Sequence, residues 1–118
     1  MKTKTLLSLF AVTFAGLVIA QAPRVYTAVE AGKHVGETAT VTDKVDAIHQ
    51  STRGPISLDM GGKDPNQAFT AFIPAASVAQ FSRPQRYQGR TVAVSGKIVL
   101  YKGKPGIAVN SPSQIVAR

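Results

Sequence analysis

The last third of the chain constrains the fold most. Tyr87-Gln-Gly-Arg-Thr-Val-Ala-Val-Ser-Gly-Lys-Ile-Val-Leu-Tyr101 carries small and branched apolar residues at alternate positions, Lys102-Gly-Lys-Pro105 interrupts the run, and Gly106-Ile-Ala-Val-Asn110 resumes it. Alternation with a period of two marks strands. A short insert containing glycine marks a tight turn, since glycine supplies backbone freedom at no steric cost. A second long alternating run, Gly36 to His49, stands near the front of the sequence. Together the two runs predict a small β-barrel whose loops carry positive charge.

The N-terminus reads as an export signal. Met1-Lys2-Thr-Lys4 is basic, Leu6 to Ala20 carries no charge, and Val18-Ile19-Ala20 offers small residues for signal peptidase. The apolar run is shorter than the roughly 20 residues a spanning helix requires. Residues 1–20 are therefore assigned to a signal peptide, 21–33 to a leader and 34–118 to one folded domain. The protein is expected to be exported, periplasmic or secreted, with no stable membrane anchor once the signal is cleaved. The chain has no cysteine, so export brings no disulfide. The formal net charge is +8, and loss of Lys2 and Lys4 still leaves a clear basic excess. Such a balance favours anionic partners, although it also serves solubility.

Within the domain five strands are predicted. In the first, Ala39, Val41, Val45 and Ala47 form the apolar side and Thr38, Thr40, Thr42 and Lys44 the polar side. Asp43 falls on the apolar side, where an unpaired carboxylate is costly, so a bulge or bend is expected near it. The turn cluster Gln50–Pro55 leads to the second strand, with Ile56, Leu58 and Met60 inward and Ser57 and Asp59 outward. The loop Gly61–Gln67 precedes the third, Ala68–Ile73, with Phe69, Ala71 and Ile73 on one face and Phe72 on the other. Pro74 opens a short helix to Phe81. The fourth strand, Thr91–Tyr101, bends at Gly96, and the fifth carries Ile107 and Val109 inward. Ile115 is expected to plug the end of the barrel. The leader holds one helical turn, 26–31, ended by Gly32. The predicted fold is all-β with one short helix: a five-stranded OB-fold barrel of order β-β-β-α-β-β, with an open sandwich or SH3-like barrel as the competing architecture.

His34-Val-Gly-Glu-Thr-Ala-Thr-Val41, Pro65-Asn-Gln-Ala-Phe-Thr-Ala71, Tyr87-Gln-Gly-Arg-Thr-Val-Ala-Val-Ser-Gly-Lys-Ile98, Tyr101-Lys-Gly-Lys-Pro105 and Ser111-Pro-Ser-Gln-Ile115 resemble, in that order, the small bacterial exported OB-fold domains of nucleic-acid-binding type. The likeness spans about residues 33–116. Asp43 stands where such domains usually have glycine, Asp64 where an aromatic residue is usual, and Gly106 where an acid or amide is usual. Gly106 would be expected to loosen the start of the fifth strand.

OB folds bind oligonucleotides and oligosaccharides across strands two and three, between the first–second and fourth–fifth loops. Those loops hold Arg53 and Lys102/Lys104, and Lys63 lies at the tip of the loop between strands two and three. Phe72 lies on the non-core face and Tyr101 borders the fourth–fifth loop; exposed rings beside cationic loops can stack bases. Arg53, Lys63, Phe72, Tyr101, Lys102 and Lys104 are thus the candidate binding residues. Phe72 could equally be covered by the short helix or the leader, and Lys102-Gly-Lys104 could be a solvated turn.

Catalysis finds little footing in these residues. His34 and His49 are not brought together by the strand pattern, and Asp43 and Asp46 point to opposite faces of a regular strand. Asp59 and Asp64 supply too few oxygens for a hard-cation site. Gly61-Gly62-Lys63 lacks phosphate-loop spacing. His49, near Arg53, could touch a ligand. No enzyme activity, metal or cofactor is expected. The expected function is an exported binding module for single-stranded nucleic acid or another polyanion. The alternatives are a cell-envelope protein that binds protein or glycan, and a detached accessory domain of an enzyme.

Overall fold

Thirteen residues of alternating pattern fold as a single strand, and everything else is arranged around it. In the computed structural model, which describes residues 24–52 and 54–118, this strand is β2, Thr38–Gln50. The predicted signal peptide, 1–20, and Arg53 lie outside the described residues. β1 (Val25–Tyr26) and α1 (Ala28–Ala31) precede β2. After it come β3 (Ile56–Met60), β4 (Phe69–Ile73), β5 (Thr91–Lys97), β6 (Val99–Tyr101), β7 (Lys104–Ala108) and β8 (Ile115–Ala117). The protein is all-β with short helical segments. Among the described residues eight strands form one sheet in the order β6-β7-β4-β3-β2-β5-β8, with β1 also paired to β2.

β2 is long because it serves two partners. Its first half, Thr38–Lys44, pairs antiparallel with β5; its second half, from Val45, pairs antiparallel with β3. The irregularity between the halves lies between Val45 and Ala47, so the bulge is at Asp46 and not at Asp43. One extra residue reverses the alternation. Beyond it Ile48, not Ala47, packs against the core. The bulge aims the Asp46 carboxyl at the backbone N–H of Gly62, 2.7 Å away. Asp43 keeps the regular register, opposite Val92. Its carboxyl is satisfied by the N–H of Ala28 at 3.0 Å and of Lys44 at 2.9 Å.

The predicted fourth strand divides at Ile98, two residues past Gly96. Ile98 is fully buried. Its N–H donates to Glu37 O (2.8 Å) and its carbonyl accepts from Gly36 N (2.7 Å). Residues on either side then serve different neighbours: β5 pairs with β2, and β6 pairs with β7. Gly96 does carry a positive φ of 156°, and a side chain there would strike Ile107. The Pro74 segment is a 3-10 helix over Ala75–Gln80, and a second covers Pro84–Tyr87. Ile115 begins β8, pairs with Val94 and is buried in the core.

The core contains Val41, Val45, Leu58, Phe69, Ile73, Val92, Val94, Ile98 and Ile107, all fully buried. The leader joins it. Thr27 caps α1, with Glu30 completing a reciprocal capping box that satisfies two otherwise orphaned N–H groups, and Ala28 and Ala31 are fully buried. Upstream, Tyr26 Oη (2.7 Å), His34 Nδ1 (2.7 Å) and Arg24 Nη1 (2.8 Å) converge on the Glu37 carboxylate, and the Tyr26 and His34 rings stack at 3.9 Å. These contacts, the Tyr26 hydroxyl foremost, pull the Glu37 pKa from 4.5 down to about 2. A value lowered on folding means that the cluster's contribution is whole above about pH 4.5 and is lost as pH falls through about 2. Thermal unfolding followed across that window should therefore show a falling midpoint, and Glu37→Gln should flatten the descent.

Candidate ligand-binding site

The face of β3, β4 and β7 opposite the core carries the candidate site. Register sets its floor. Ser57 stands opposite Phe72 and Asp59 opposite Thr70, while Ile56, Leu58 and Met60 point to the core. The β6–β7 hairpin forms one wall. Its turn is Lys102-Gly103, with φ of 52° and 80°, between the paired Tyr101 and Lys104. Two positive φ values in a two-residue loop are what a type I′ hairpin demands, and glycine relieves the second. The loop after β3 forms the opposite wall with Asp64, Pro65 and Gln67. The pocket between these walls is about 250 Å³.

Phe72 and Tyr101 stack face to face at 3.9 Å, with 10° between ring planes. Neither the leader nor the short helix supplies this partner for Phe72; the hairpin does. Gly106 lets β7 lie close against β4 beside the stack. A Cβ on it would lie 3.5 Å from Phe72 Cε1 and 2.5 Å from the carbonyl oxygen of Thr70. The glycine therefore draws β7 tightly against β4, the reverse of the loosening predicted from the sequence. Lys102 Nζ sits 5.5 Å from the Tyr101 ring centroid, within cation–π reach.

Lys104 has a different task from the one its charge suggested. Its ammonium donates to the carbonyls of Pro65 (2.6 Å) and Gln67 (2.9 Å), so it staples the hairpin to the opposite wall. Lys63 is exposed and does not line the pocket. The structure thus brings Phe72, Tyr101, Lys102 and Lys104 together and leaves Lys63 outside.

The pocket also holds groups that sequence patterning did not rank. Asp59 is 1% exposed, although alternation had placed it on the outward face. Its Oδ2 meets His49 Nε2 at 3.0 Å and accepts from the N–H of Asp64 at 3.1 Å. Gln67 donates through Nε2 to Thr70 Oγ1 at 3.3 Å, while its Oε1 is buried without a hydrogen-bond partner. The outward position of Asp59 was visible as periodicity, but its burial depends on the two walls closing over it. For Gln67 no sequence signal existed. The pocket is consequently mixed in charge, with carboxyls at Asp59 and Asp64 facing ammonium groups at Lys102 and Lys104. Among the described residues no three histidine or carboxylate side chains gather to hold a metal ion.

Searches of protein-family models and of curated proteins find no match to this chain.

Proposed function

We propose that the protein is an exported binding module on the OB plan that holds single-stranded nucleic acid across β3, β4 and β7. Three pairings support the OB plan. β2 is shared between β3 and β5, residues 91–101 give one end to β2 and the other to β7, and β4 runs parallel to β7. The observation that carries the nucleic-acid reading is the stacked Phe72–Tyr101 pair at the rim of a polar pocket, with Lys102 beside it. Aromatic platforms take bases without regard to sequence, and a neighbouring cation tracks the phosphates. Asp59 and Asp64 keep phosphates out of the pocket itself, so the strand's backbone passes along the Lys102 side while a base turns inward.

Fluorescence anisotropy of the purified protein with labelled single-stranded DNA, duplex DNA and heparin over a salt series tests this reading. Single strands should bind best. Tyr101→Ala should remove a stacking contact worth about 1–3 kcal/mol, or roughly 5–160-fold in affinity. Lys102→Ala should flatten the log–log salt slope by about 0.7. Equal binding of heparin would reduce the site to a general polyanion surface. Silence with all three, even at low salt, would overturn the reading. The carboxyl and amide groups beside the rings favour a glycan as the second reading, and competition by neutral oligosaccharides would then displace any bound probe.

A further inference from the structure

We propose that the outer face of the β1-β2-β5-β8 half of the sheet docks on an anionic lipid surface. Register defines this face. Thr38 stands opposite Lys97, Thr40 opposite Ser95, Thr42 opposite Ala93 and Lys44 opposite Thr91, and directly opposite residues share a face. The alternate residues Ala39, Val41, Val92 and Val94 belong to the core. The hydroxyls of Thr40 and Ser95 meet at 2.8 Å on the exposed side. Val25, opposite Thr40 on β1, and Val116, opposite Ala93 on β8, are 58% and 54% exposed. The face thus has a lysine at each end, hydroxyls between them, and a bare valine on each edge strand.

The side-chain charge here has one sign. Lys44 and Lys97 are exposed. At the Lys44 end Arg90 and Arg118 are exposed too; Arg90 precedes Thr91, and the Arg118 N–H donates to the Thr91 carbonyl at 2.8 Å. The ion pairs among the described residues are Arg24–Glu37, His34–Glu37 and His49–Asp59, and none uses these four cations. All six acidic side chains of the chain are placed elsewhere. Glu30 caps α1, Glu37 holds the Arg24 cluster, Asp43 and Asp46 accept from Ala28 and Gly62, and Asp59 and Asp64 line the pocket. Among the described residues these four strands turn no aromatic ring outward to stack a base: Tyr26 stands opposite the core residue Val41 and gives its hydroxyl to Glu37. The valines decide between a polymer and a surface. They sit on opposite edges of four strands, about 14 Å apart at the usual strand spacing, while Lys44 and Lys97 lie about 20 Å apart along the strands. A linear chain crossing one way misses two of these four points, whereas a plane meets them all. Anionic headgroups attract the cations, and the valines leave water.

The pocket is built on other strands, so this proposal stands apart from the nucleic-acid reading. Co-sedimentation of the purified protein with vesicles of phosphatidylcholine, alone or mixed equally with phosphatidylglycerol, tests it over a salt series. Binding is expected to the anionic vesicles, and it should weaken as salt screens the attraction. Lys44→Ala and Lys97→Ala should each lower the partition coefficient about fivefold, and Val116→Thr about threefold. Lys63→Ala, in the loop after β3, should leave it unchanged. All variants share one N-terminus, so its own lipid affinity cancels in the comparison, and equal thermal midpoints show that each has kept its fold. Equal binding of neutral vesicles, or an equal loss with Lys63→Ala, would overturn the proposal. So would no vesicle binding at low salt; heparin binding weakened by Lys44→Ala would then give the face to a soluble polyanion instead.

Discussion

Ile98→Ala should cost the protein about 2–5 kcal/mol of stability, the range for removing a large aliphatic side chain from a core. Ile98 is fully buried, and it sits at the point where the chain leaves β5 and enters β6. Its backbone is fixed on both sides, by Gly36 and Glu37, so the surroundings cannot collapse easily into the space left by the truncated side chain. Poor collapse places the cost toward the upper part of the range. Small domains have only about 5–15 kcal/mol in all, so a large part of the stability is at stake. Urea unfolding should show a lower midpoint with an unchanged slope. Leu100→Ala, two residues away at a side chain 65% exposed, should move stability by less than about 0.5 kcal/mol. Equal effects at the two positions would contradict the burial of Ile98.

The second large effect is expected at Gly106. An alanine Cβ would lie 2.5 Å from the Thr70 carbonyl oxygen, a backbone atom that cannot swing aside. β7 would have to move away from β4, at a cost of about 1–3 kcal/mol for overpacking. In a domain of this size that corresponds to roughly 5–20 °C in Tm. The displacement would also part Phe72 from Tyr101, so ligand affinity should fall together with stability. Gly32→Ala is the control. Gly32 has helical angles, and its nearest contacts to an added Cβ are 3.7 and 3.9 Å. That change should be neutral or stabilising by about 0.4–1 kcal/mol through the unfolded chain. Calorimetry on both variants decides the point.

Local pattern made the strands legible, and long-range closure accounts for what it missed. Ile56, Leu58, Met60, Phe69, Ala71 and Ile73 announce their facing by period two, and the structure buries all of them. The basic turn at Lys102-Gly103 was equally visible, because only a tight hairpin suits that composition. The bulge at Asp46 was misplaced by three residues, since alternation shows that a strand must slip but not which carboxyl finds a donor. Asp43 found one in Ala28 and Asp46 found one in Gly62, and both donors belong to other segments. The same holds for the site. That Phe72 faces away from the core could be read from the strand; that Tyr101 covers it could not, because the two meet only once β7 docks on β4. Lys104 looked like a free cation because charge is a property of the residue, whereas its two carbonyl acceptors are a property of the fold.

The β2–β5 and β4–β7 pairings join segments separated by tens of residues in sequence. Such non-local pairings impose their loop-closure entropy before they return any contact energy, and they fold slowly, on a scale of about milliseconds to seconds. Most of the core depends on them: Val41 needs Val94 across from it, and Ala71 needs Ile107. During synthesis the β2–β3–β4 meander emerges first and finds nothing to cover its apolar face. Until β5 and β7 follow, that face stays uncovered and the core cannot close.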